Sequence, residues 1–197
     1  MSRPLRALIV TSLLVISGCG SHDRSAPRQF DDACAILKDR PHFVRAFRAT
    51  ERKWDVPVHV QMATIYQESK FKADARTPFR WAMGVIPMGR QSSAYGYSQA
   101  LDATWEEYQR ATGNRRAKRD DIRDAADFMG WYMNQTKARN GVELFDTRNQ
   151  YLAYHEGHTG FARGTYNSKA WLMRIAGEVG ARADVYQGQL LSCRLRG

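Results

Sequence analysis

The most constraining feature of the chain is that apolar residues recur every three to four positions, in segment after segment, while strict alternation is scarce. After Pro57 come Val58, Met62, Ile65 and Tyr66, at i, i+4, i+7 and i+8. Between residues 121 and 139, Ile122, Ala125, Ala126, Met129, Tyr132 and Met133 fall on one side of a 3.6-residue period. That spacing gathers apolar side chains into one stripe of an α-helix, and a stripe must be covered by another element. Residues 42–55, with Phe43, Phe47 and Trp54, read as a further helix, as do 102–112, 147–155 and 168–186. Pro57 suits the first position of its helix, Asp102 suits an N-cap, and Gly113 and Gly141 are stops. Hydrophobic residues make up 43% of the 197 positions. That is enough for one packed core, so a mainly α single domain is expected.

Residues 78–94 break the pattern. Pro78, Gly84, Pro87 and Gly89 interrupt a run holding Phe79, Trp81, Met83, Val85, Ile86 and Met88. The run is too apolar for a solvated linker and too broken for a helix. It reads as a long cleft-side loop, with a short irregular hairpin inside 78–98. Two roles stay open, a lid over a cleft or a plain cover for the core.

The first residues carry a different message. Arg3 and Arg6 precede an apolar run over 7–16, followed by Ser17, Gly18 and Cys19. A basic start, a short apolar run and small residues form an export signal, too short to span a bilayer stably. The run Ile16-Ser17-Gly18-Cys19 resembles a bacterial lipobox, in which the cysteine is lipidated and becomes the first residue of the mature chain. The reading is a signal peptide over 1–18, a polar tether over 19–30 and a domain over 31–197. It places the protein in the periplasm, held on the inner leaflet of the outer membrane, since Ser21 gives no inner-membrane retention signal. Removing Cys19 from the count leaves Cys34 and Cys193, which an oxidising compartment would join. Closing so long a loop is worth on the order of 4 kcal/mol in the chain-entropy model.

Glu68 stands at the end of the Pro57 helix, beside the apolar stripe. A partly desolvated carboxyl has a raised pKa, as a general acid at neutral pH requires. Position alone does not distinguish it from an ordinary surface glutamate. Its context does. The stretch Glu68-Ser69-Lys70-Phe71-Lys72-Ala73-Asp74-Ala75-Arg76-Thr77 resembles the catalytic stretch of lytic transglycosylases of the soluble-lytic-transglycosylase type, relatives of goose-type lysozyme. Ala94-Tyr95-Gly96-Tyr97-Ser98-Gln99 is similar to that family's second block, keeping its Gly and Gln. Ala153-Tyr154-His155-Glu156-Gly157 is similar to the third, with His155 in place of Asn. The three blocks stand in the family's order.

The resemblance implies a lysozyme-like fold acting on peptidoglycan glycan strands, as a monomer and without a cofactor. It implies cleavage of the β-1,4 bond between N-acetylmuramic acid and N-acetylglucosamine to leave 1,6-anhydro ends. Glu68 would serve as acid and then as base. Ser69, Thr77, Gln99 and Tyr154 would bind substrate, and Tyr97 and Trp81 would either stack on sugars or pack in the core. Glu156 would either enter the cleft and modulate Glu68 or point to solvent. A hydrolytic muramidase and a catalytically silent peptidoglycan-binding lipoprotein are the alternatives.

Other chemistries fit less well. His155-Glu156-Gly157-His158 lacks the spacing that sets two histidines one helical turn apart, and no cysteine cluster accompanies it, so no metal site is expected. The net charge of +10 favours anionic partners, and export removes nucleic acid from among them. Stem-peptide carboxylates and anionic lipid remain.

Overall fold

The structure is a computed structural model in which residues 25–83 and 86–193 are described. The signal segment and Cys19 lie outside the described residues. Among the described residues, seven α-helices and one small hairpin follow in chain order. Helix α1 spans Ala33–Asp39, α2 Pro41–Trp54 and α3 Val58–Ser69. Strands β1 (Phe79–Ala82) and β2 (Ile86–Arg90) are antiparallel. Then come α4 (Asp102–Thr112), α5 (Ile122–Asn140), α6 (Thr147–Ala162) and α7 (Ala170–Ser192).

Local chemistry fixes most of the boundaries. Asp32, Asp121 and Asp146 accept hydrogen bonds from first-turn amides of α1, α5 and α6, satisfying donors that the helix cannot pair. Pro57 lies one residue before the helix rather than inside it, and Asp102 is the first residue of α4 rather than its cap. Gly113 and Gly141 end α4 and α5 in the left-handed conformation, as expected of glycine.

Helix α5 is the centre of the molecule, packed on α2 on one side and α6 on the other, while α7 covers α3 and α6. Gly130 lets α2 and α5 approach. A Cβ there would lie 2.6 Å from Trp54 Cδ1 and 2.7 Å from Thr50 Cγ2. Phe43, Phe47, Met62, Ile65, Phe71, Met129 and Met133 fill the main core. A second cluster, built from Trp105, Tyr108, Phe128, Trp131 and Tyr132, packs beneath α4. Asp127 serves it by accepting from three donors: Tyr108 Oη at 2.7 Å, Trp54 Nε1 at 2.8 Å and Lys53 Nζ at 2.8 and 2.9 Å.

The two ends of the domain meet. A Cys34–Cys193 disulfide, with Cα atoms 5.8 Å apart, joins α1 to the end of α7. Gln189 adds to the clamp, accepting from Ala33 N at 2.7 Å and donating to Asp31 O at 2.8 Å. No helix among the described residues is long and apolar enough to cross a membrane.

Candidate active site

Glu68 occupies the last turn of α3, where the helix stops abruptly. Lys70 and Phe71 both take positive φ, 52° and 58°, an uncommon conformation for residues that are not glycine. Phe71 anchors the turn: its ring is fully buried against Phe43 and Tyr66. Such a pair of residues costs about 1–2 kcal/mol each, and core packing holds them. The result is a carboxyl presented at a fixed point rather than at a fraying helix end.

The Glu68 residue keeps partial contact with solvent, yet its carboxyl is closely surrounded by protein. Burial pushes its pKa up to about 7, partly offset by a hydrogen bond from the Tyr151 hydroxyl and by the nearby Lys70 cation. None of the groups acting on it is a second carboxylate. Tyr151 and Tyr154 lie three apart on α6, hence on the same face. Both phenols are pushed up, first by burial and then by the Glu68 charge. Tyr154 donates to Ser98 O at 2.6 Å. Its ring meets Tyr132 and Phe128 edge-on at 5.1 and 6.4 Å, so the aromatic cluster fixes its position. Tyr151 is outside the three sequence blocks, and its spacing from Tyr154 is the signal that identifies it.

Gly96 organises the second block. It has φ 78°, and a Cβ there would sit 2.1 Å from Arg119 O. Only glycine permits that approach. Gln99, also at positive φ, donates from Nε2 to Ala75 O at 2.9 Å and to Gly96 O at 2.8 Å. It thereby ties the first block to the second, and it also lines a 230 Å³ cavity with Phe128, Tyr132, Tyr154 and Glu156. A larger groove of 470 Å³ is lined by Gln67, Lys70, Tyr66 and Arg182. Glu68 lines neither, but its charge acts on Lys70, which lines the groove, and on Tyr154, which lines the smaller cavity. The smaller cavity brings the motif residues together, and it is the candidate cleft.

Three residues expected to contact substrate make contacts within the scaffold. Tyr97 is 3% exposed and meets Phe43 edge-on at 5.8 Å, so neither ring face is open to a sugar. Ser69 is buried, and its hydroxyl donates back to Ile65 O at 3.2 Å. The Thr77 hydroxyl donates to Ser92 O at 3.0 Å and accepts from Ser92 N at 3.4 Å, pinning the root of the hairpin. The Trp81 side chain lies outside the described residues.

Glu156 lines the smaller cavity and is not among the groups that shift the Glu68 carboxyl. Its side chain is 4% exposed beneath a thin cover formed by its own partners. Lys169 Nζ donates at 2.7 Å to Oε1, the Thr165 hydroxyl donates to Oε2, and His155 Nδ1 lies 3.1 Å from Oε1. These bonds hold its pKa down to about 2. Just beyond it, Gly157 (φ 74°, ψ 158°) breaks the helical conformation of α6. Glu156 therefore braces the rim of the cleft across that kink. Among the described residues no group of three His, Cys, Asp or Glu side chains is gathered as for a metal.

The domain is mainly helical, with a helix-end glutamate close to two tyrosines of α6, an architecture consistent with a lysozyme-like fold. The sequence matches the family model described as Transglycosylase SLT domain over residues 7–193, and the chain belongs to that family. No curated protein matches it.

Proposed function

We propose that this chain is a peptidoglycan lytic transglycosylase in which Glu68 is the only catalytic carboxylate. Membership of the SLT family supports activity on peptidoglycan. The observation that carries the mechanism is the Glu68 carboxyl itself, held near pKa 7 with no second carboxylate acting on it. A carboxyl poised at that value is substantially protonated at neutral pH and can donate to the glycosidic oxygen. Once it has done so it is a carboxylate, and it can take the proton from the muramoyl 6-hydroxyl as that oxygen attacks C1. The C1–O bond to N-acetylglucosamine breaks, the C1–O6 bond forms, and the proton count returns to its start. One residue serves both steps because the first creates the base that the second needs. Tyr151 steadies the carboxylate through its hydroxyl, and Lys70 lowers the energy of the charged form. Tyr154 and Gln99 shape the sugar cleft.

Glu68→Gln should abolish release of 1,6-anhydromuropeptides from purified sacculi, read by mass spectrometry. Release at the wild-type rate refutes the assignment of Glu68. Products 18 Da heavier, with reducing ends, would mean that water is the nucleophile and that the enzyme is a muramidase.

We also propose that Cys19 carries the lipid and that the domain faces the periplasm from the outer membrane. The order of basic, apolar and small residues before Cys19 supports this. Replacing Cys19 with Ala should free the protein from the outer-membrane fraction and prevent incorporation of labelled fatty acid. Unchanged labelling would refute it.

A further inference from the structure

The first turn of α7 carries an aromatic side chain that the core does not use. The apolar stripe of this helix runs through Leu172, Ala176, Val179, Ala183 and Tyr186, all buried and spaced to face one side. Trp171 falls outside the stripe. It is 49% exposed and belongs to neither core cluster. Leaving half an indole in water forgoes stabilisation that burial would supply. What Trp171 does meet is the rim of the cleft. Its ring and that of His155 lie edge-on, with centres 5.2 Å apart and planes at 76°. His155 lines the smaller cavity with Gln99, Tyr154 and Glu156. The start of α7 is tied to the same rim, because Lys169, its N-cap, donates to the two Glu156 oxygens at 2.7 and 2.9 Å. The indole therefore stands two residues beyond a point that an ion pair fixes.

We propose that Trp171 is a sugar platform, on which one N-acetylhexosamine of the glycan strand lies while its neighbour occupies the cavity beside Tyr154 and Gln99. The cavity holds 230 Å³, less than the roughly 300–1,000 Å³ of sites that enclose a small ligand. A polymer bound there must continue across the rim, where His155 and Trp171 are the next surface. A pyranose ring has an apolar face of C–H groups and an edge of hydroxyls. A half-exposed indole can cover the face while water keeps the edge. This assignment rests on the reading of the cleft as a glycan site, and it adds a contact from outside the three sequence blocks.

The test uses the full chain carrying Glu68→Gln, so that bound strands stay whole, and peptide-free glycan strands released from sacculi by an amidase. Calorimetry gives the affinity. Adding Trp171→Ala should weaken binding about tenfold, equivalent to about 1.4 kcal/mol, with the melting temperature unchanged. Trp171→Phe, which keeps an aromatic ring, should recover most of that loss. Phe145→Ala, which removes a 69% exposed ring ahead of α6, should leave the affinity as it was. Strands should also change the tryptophan emission of the parent, and the change should shrink in Trp171→Phe. Equal affinity of Trp171→Ala and its parent, a loss that Trp171→Phe does not recover, or no binding by the parent would each overturn the platform. The enzyme reading is scored separately, with Glu68 intact. Release of anhydromuropeptides alongside an unaffected Trp171→Ala strikes only the platform, and Trp171-dependent binding without release strikes only the enzyme.

Discussion

Glu68→Gln should make the protein more stable at pH 8 while destroying its activity. Moving a carboxyl from 4.5 to about 7 corresponds to about 3 kcal/mol at 1.36 kcal/mol per pH unit. Residual solvent access at Glu68 reduces this, and an order of 1–3 kcal/mol remains. The sign follows from linkage. The folded state holds its proton to higher pH than the unfolded state, so the group costs nothing below 4.5. Stability is then lost as pH rises from 4.5 through about 7, and the loss is constant above that. Glutamine keeps an oxygen for the Tyr151 hydroxyl and has no charge to desolvate. At 2–4 °C per kcal/mol for a chain of this size, the gap between variant and wild-type melting temperatures should widen by roughly 2–12 °C between pH 4 and pH 8. Circular dichroism melts across that range measure it. Any fixed packing penalty of the glutamine amide shifts all points equally and leaves the widening intact. A gap that stays constant with pH would refute the desolvated carboxyl, and with it the physical basis for Glu68 as an acid.

The reaction rate should fall as pH rises above about 7, because the acid form of Glu68 starts the reaction; Lys70→Met should move that fall to higher pH by removing the cation that favours the carboxylate, as read from sacculus turbidity against pH. Replacing Cys34 and Cys193 by Ser should cost about 2–5 kcal/mol in urea unfolding, with residual order at the ends maintained by Gln189. Gly130→Ala should cost about 1–3 kcal/mol, since its methyl group collides with Trp54 and Thr50 where α2 meets α5; an unchanged melting temperature would show that the two helices are not held that closely.

The hairpin shows how far a sequence can be read. Its broken apolar run was legible as a loop of unusual character, but not as a projection, because apolar composition alone does not say which side faces water. The segment left open between lid and core cover forms a hairpin whose Met83 stands in solvent. Glu156 makes the same point for charge. Solvent and cleft were the alternatives open from sequence; Glu156 lines the smaller cavity, and the Lys169 brace that holds it there joins residues 13 positions apart across a kink. Tyr97, Ser69 and Thr77 lie in motif blocks, yet their side chains hold the scaffold of the site together.

The sequence by itself determined the helices, since their period, caps and stops are local properties of the chain. It also pointed to the family and to Glu68, and made Cys34 and Cys193 candidates for the pairing that the structure forms. Only the tertiary structure decided what surrounds that carboxyl. Desolvation is the sum of every atom packed nearby, and the phenols of Tyr151 and Tyr154 come from a helix more than 80 residues further along the chain. A helix-end glutamate is common. Its pKa near 7 depends on where α6 packs, and no local pattern encodes that.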